Sequence, residues 1–115
     1  MASSVERYAV YRVDLDPVRG SEIAKTRPAL VVSDDAMNRM LSTVVVCPVT
    51  SRLHPQWPSR VRTTIAGREA EIAVDQIRTI DKARLGDRVD VIGETAATEV
   101  RHVITEMYGV LSIRA

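Results

Sequence analysis

The sequence predicts a mostly β domain of the α+β class, in which five or six short strands close into a small barrel and one helix follows at the C-terminal end. Three observations carry this. Short runs of β-forming residues recur between residues 8 and 92, each bounded by Pro, Gly or charged residues. A single long stripe of apolar residues at helical spacing stands near the end of the chain. The 115 residues suit one domain, 1–115, and with no Phe and only four Tyr and Trp its core is built from Val, Ile, Leu, Ala and Met.

Taken in order, residues 8–15 alternate β-formers with charged residues, the pattern of a half-buried strand. Residues 16–26 form a polar loop punctuated by Pro17 and Gly20. Residues 27–33 are a second strand, with Pro28 near its start, where a strand tolerates proline. Asp34 and Asp35 suit the cap of a short helical turn that runs to residue 41. Residues 42–49 are a third strand, whose Val44, Val45 and Val46 imply burial on both faces. A second loop spans residues 50–59. Further strands are expected over 59–66, 71–77 and 88–92, with a turn or short helix over 81–85 that stops at Gly86. Residues 95–111 form the helix, with Val100, Val103, Ile104, Met107 and Leu111 on its core-facing stripe.

Composition excludes several function classes. One cysteine, Cys47, rules out an internal disulfide framework and a zinc cluster, and its apolar surroundings make it a core residue. No apolar run approaches the ~20 residues that span a membrane, and a reducing cytoplasm is the expected location. No metal or other cofactor is expected. There is no glycine-rich phosphate loop and no nucleophile elbow. His102, beside the helix stripe, reads as structural. Scarce aromatics argue against base-stacking modules. The net charge is only +1, yet residues 36–68 contain no acid and carry Arg39, Arg52, Arg60, Arg62 and Arg68, whereas residues 69–99 hold eight acids against four bases. That distribution fits either a solvated face or a basic groove with an acidic region elsewhere.

The charge with chemical promise lies in two loops. The first holds Asp16, Arg19, Glu22, Lys25 and Arg27, and the second begins at Thr50, Ser51 and Arg52. If the strands that start at Arg27 and end at Val49 pair antiparallel, Arg27 and Thr50 emerge at one sheet edge. A guanidinium fork offers phosphate two parallel hydrogen bonds, and a threonine hydroxyl adds a third.

These residues also carry a resemblance. Val13–Pro17 (VDLDP), Gly20–Glu22 (GSE), Arg27–Ser33 (RPALVVS), Pro48–Ser51 (PVTS) and Asp75–Asp81 (DQIRTID) resemble, in order and spacing, the MazF/PemK (Kid) toxins of type II toxin–antitoxin modules. The similarity spans almost the whole chain. It implies an SH3-like barrel of about five to seven strands, a homodimer, and metal-independent, sequence-specific cleavage of single-stranded mRNA to 2′,3′-cyclic phosphate and 5′-hydroxyl ends. It also implies an antitoxin whose acidic, flexible tail covers the RNA groove. The catalytic residues it points to are Arg27 and Thr50, with Glu22, Asp75 and Gln76 at family-matched positions near the RNA. The loop residues Asp16, Arg19, Lys25, Ser51 and Arg52 complete the expected RNA contacts. Glu22 and Asp75 are the alternatives for the general base. Glu22 is preferred because it shares a loop with Arg27, although it also suits a plain ion pair to that arginine. Gln76 suits the reading of a base edge.

The chain departs from the family in two places. The first strand reads RYAVYRV where the family often has Gly-Asp and a Trp, and Ala73 stands where PemK-like members place an Arg two residues before the Asp-Gln pair. Two other readings share the barrel. One is a DNA gyrase poison of the CcdB type, which ends in Trp-Gly-Ile, whereas this chain ends in LSIRA and has its only tryptophan at Trp57. The other is a barrel that binds RNA or antitoxin without catalysis.

Overall fold

The computed structural model describes residues 4–109. Seven strands form one curled antiparallel sheet: β1 (Ala9–Asp14), β2 (Thr26–Val31), β3 (Thr43–Thr50), β4 (Arg60–Ile65), β5 (Arg68–Ala73), β6 (Arg78–Asp81) and β7 (Leu85–Val91). The order is β4-β5-β3-β2-β1-β7, and β6 pairs with β3. The two ends of this path meet where the Asp90 carboxylate accepts the Ala66 N–H at 2.7 Å. Helices α1 (Asp35–Met40) and α2 (Glu94–Ile104) complete the fold. This is the mostly β barrel with a C-terminal helix that the sequence predicts.

Alternation along the central strands fills two clusters. Val10, Leu30, Cys47 and Val49 point toward α2 and pack with Val61, Ile72, Val100 and Val103. Their neighbours Tyr11, Val13, Ala29, Val31, Val44 and Val46 point the other way and pack with Ile80. Both faces of β1, β2 and β3 are thus buried, as the valine run in β3 implies. Cys47 is a core residue, and burial pushes its thiol up to about 12.

Several boundaries differ from the sequence reading, each for a local reason. The strand expected over 71–77 is Arg68–Ala73, and Val74–Gln76 is a turn of 3₁₀ helix. Both β5 and β6 pair with β3, at Val49–Thr50 and Thr43–Val46 respectively. The turn carries the chain from one to the other beside Pro48, which has no N–H to extend a ladder. The last strand begins at Leu85, ahead of the expected residue 88, and includes Gly86. A Cβ there would lie 3.1 Å from the Arg12 carbonyl oxygen, so this glycine permits close approach to β1 and does not end a helix. Asp34 does cap α1, its carboxylate accepting the Met37 N–H. Helix α2 ends at Ile104 and passes into a π turn, Thr105–Gly109, so Met107 lies exposed off the core. Leu111 lies outside the described residues. His102 is exposed, 3.9 Å from Glu106, and serves no core contact. Among the described residues, no helix is long and apolar enough to cross a membrane.

A candidate phosphate-binding groove

Strands β2 and β3 pair antiparallel, with Ala29 facing Pro48 and Leu30 facing Cys47. The ladder ends two residues short of Arg27 and Thr50. Both line one open groove of about 780 Å³, together with Glu22, Ser51, Arg52, Asp75 and Gln76. The expected sheet-edge meeting is therefore present. Arg19 lines an adjoining depression of about 610 Å³ with Glu22 and Gln76. Asp16 and Lys25 line neither. Instead, the Asp16 carboxylate accepts the Lys25 N–H at 3.0 Å, closing the base of the first loop.

The geometry at Arg27 leaves it ready for an anion. Its Nε donates to the Ala24 carbonyl at 2.9 Å, which fixes the guanidinium plane. Among the described residues, neither terminal nitrogen carries a hydrogen bond or ion pair. The alternative in which Glu22 merely neutralises Arg27 is not what is found: Glu22 accepts the Arg19 N–H at 3.1 Å. Thr50 is only 8% exposed, and its oxygen accepts the Arg52 N–H at 3.1 Å. A hydroxyl accepting there still has its own proton to donate.

Gln76 is engaged at both ends of its amide. Its oxygen accepts the Ile23 N–H at 2.8 Å, and its nitrogen donates to the Ser21 carbonyl at 3.3 Å. It clamps the segment that carries Glu22, with one amide N–H and one oxygen lone pair left over, among the described residues, for a ligand. The outer loop is also tied down: Arg84 donates to the Asp14 and Asp16 carbonyls, and Arg78 to that of Leu15.

The second wall is built on a buried ionic cluster that the sequence reading missed. Glu71, 1% exposed, accepts the His54 N–H at 2.8 Å and pairs with Arg60 at 3.4 Å. Arg60, whose side chain is 6% exposed, also bonds Asp75 at 2.8 Å. Burial alone would raise the Asp75 carboxyl, but hydrogen bonds from Arg60 and Ser59 and the Arg60 charge together hold it below its ordinary value. Asp75 is therefore a weakened base. Arg62 pairs with Glu69 at 3.4 Å. The basic stretch read from the sequence is thus partly neutralised by acids of β5 and the following turn. Above the cluster, His54 and Trp57 stack at 3.8 Å and 7°, with the Arg60 guanidinium 4.6 Å from the Trp57 ring centre. The scarce aromatics had argued against a stacking module, and nothing in the sequence signalled that these two rings would meet. Among the described residues, no group of three or more His, Cys, Asp or Glu is arranged to hold a metal ion.

The family model described as PemK-like, MazF-like toxin of type II toxin–antitoxin system matches residues 6–108. The chain belongs to that family. Among this family's curated members, an endoribonuclease MazF of Staphylococcus saprophyticus subsp. saprophyticus is 31% identical, over 96% of this chain and 97% of that one. The crystal structure of a Deinococcus radiodurans MazF superposes with a TM-score of 0.83 at 25% identity, over 95% of this chain and 100% of that one. An endoribonuclease from a mycobacterial species, solved in complex with its cognate antitoxin, gives 0.79 at 23% identity, over 96% and 100% of the two chains. At that lower identity the likeness speaks for the fold alone.

Proposed function

We propose that this toxin-family chain is a sequence-specific endoribonuclease that cleaves single-stranded mRNA in the cytoplasm without a metal, and so arrests translation and growth. The observation that carries this reading is that Arg27, whose terminal guanidinium nitrogens have no partner among the described residues, lines one groove with Thr50. The relative named endoribonuclease MazF gives the same direction.

In the proposed reaction the RNA 2′-hydroxyl attacks the adjacent phosphorus and the bond to the 5′-oxygen breaks. The products carry a 2′,3′-cyclic phosphate and a 5′-hydroxyl. Arg27 holds two non-bridging oxygens as negative charge builds on them. A guanidinium keeps its proton at neutral pH, so Arg27 acts as a fixed charge and not as a proton shuttle. Thr50 donates to a phosphate oxygen. Glu22 takes the 2′ proton, and solvent water in the open groove gives the departing 5′-oxygen its proton. Glu22 is the better base of the two carboxylates because Asp75 is tied to Arg60 and Ser59 and held in its ionised, weakly basic form. Gln76 keeps the Glu22 segment in place. Ser51, Arg52 and Arg19 extend the RNA path, while Asp16 and Lys25 shape the first loop.

The proposed assembly is a homodimer, inhibited by an antitoxin whose acidic, flexible tail lies in the groove against Arg27 and Arg52. Incubation with a long RNA in EDTA tests the activity: defined fragments with 5′-hydroxyl ends are expected. Intact RNA, or cleavage that needs added divalent metal, rejects the proposal. Primer-extension mapping of the same fragments reads the recognised sequence.

A further inference from the structure

We propose that His54 is the top layer of a stacking platform for one unpaired RNA base, which lies on the imidazole face that Trp57 does not cover. This deepens the reading above and rests on it.

Three planes are stacked in the groove wall. His54 lies 3.8 Å from Trp57 and nearly parallel to it, and the Arg60 guanidinium lies 4.6 Å from the same ring centre. Both groups pack against the one indole, and the imidazole keeps a face that Trp57 does not cover.

The stack is fixed before any ligand arrives. Arg60 is held by Glu71 and Asp75, and Glu71 also holds the His54 backbone N–H. Two backbone bonds, Trp57 N–H to the His54 carbonyl and Arg60 N–H to the Trp57 carbonyl, set the spacing of the three residues. Ordering costs that a flexible loop would meet on binding are therefore already met.

A stack serving only the fold has no need to face a groove. This one does: His54, Trp57 and Arg60 line the same groove as Arg27 and Thr50, and Trp57 remains 46% exposed. Every nucleobase has a π face, and single-stranded RNA is bound by splaying its bases onto such planes. The platform supplies affinity and register to the strand, while Arg27 and Thr50 act on the phosphate.

Trp57 is the only tryptophan, so its emission reports on the platform directly. The probe is a 2′-O-methyl oligoribonucleotide of the mapped cleavage sequence, which lacks the attacking hydroxyl, end-labelled for anisotropy. Its binding is expected to change Trp57 emission saturably, with the same Kd as anisotropy. An abasic replacement at one position is expected to remove most of that change. His54→Ala is expected to raise KM on the order of ten- to a hundred-fold, the range seen for loss of one stacked base, and His54→Phe, which keeps a flat ring, to restore it. If the wild type binds and cleaves but His54→Ala leaves KM unaltered, or lowers kcat alone as a purely structural defect would, the platform is wrong and the nuclease reading survives. If the RNA is neither bound nor cut, both fail.

Discussion

Arg27 and Arg60 line the same groove and differ in what they have left to give. Arg27 spends one nitrogen on the Ala24 carbonyl and keeps its fork open. Arg60 is enclosed, with Glu71 and Asp75 on its nitrogens and Trp57 against its plane. The walls that carry them differ in the same way. The first loop is held by neutral or backbone-directed bonds, through Gln76 to Ser21 and Ile23 and through Arg84 to Asp14 and Asp16. The second is held by buried charge. An arginine's chemistry is set by its partners, and one groove contains both a proposed reagent and a strut of the same residue type.

The difference can be broken most heavily at the strut. Among the described residues, Arg60→Ala leaves buried Glu71 with only Arg62, 3.9 Å away, as a cationic neighbour. Removing one partner of a buried pair costs about 3–5 kcal/mol, so urea unfolding is expected to show a loss of that size. At the reagent, Arg27→Ala is expected to raise the barrier to cleavage by about 3–4 kcal/mol, as when a fixed donor to developing charge is lost. Its thermal unfolding should stay close to wild type. Arg27→Lys keeps charge and loses the fork, so single-turnover kinetics should find it nearly as slow.

Gln76→Ala tests whether neutral bonds suffice for the first wall. It frees the Ile23 N–H, and a loss of about 1–2 kcal/mol in unfolding is expected, with weaker cleavage through a loosened Glu22 segment. The smallest effect is in acid. The Asp75 carboxyl is depressed below its ordinary 3.8, so the folded chain gains from its ionised form. That contribution is fully present above the ordinary carboxyl range and is lost as pH falls through the lower, folded value. Asp75→Asn should therefore flatten the acid limb of a stability–pH curve and leave the region near pH 7 parallel to wild type.

How far the sequence reveals this is itself uneven. Strands β1 to β3 and the capped α1 were legible because alternation, proline placement and an aspartate pair report local preferences. The meeting of Arg27 and Thr50 followed from one assumption, antiparallel pairing, and the observed register meets it. What was hidden depends on contacts between distant residues. The turn at Val74–Gln76 follows from two strands sharing one edge of β3. Gly86 looks like a terminator until Arg12 is seen beside it. The fate of Arg60 depends on Glu71, which the sequence places among apparent surface acids and the fold places among the most buried side chains. Gln76 has a motif position, but only the fold shows that its amide also holds the first loop.

Cys47 gives experimental access to the strand pair that bears the reagent. It sits opposite Leu30 in the β2–β3 ladder, three positions before Thr50, and is fully enclosed. Burial pushes its thiol up to about 12, so the reactive anion is scarce at neutral pH even before access is considered. An alkylating reagent can mark it only after β2 and β3 have parted. The time course of labelling thus clocks the opening of the groove's own foundation, and RNA or an antitoxin tail bound across that seam should slow the clock.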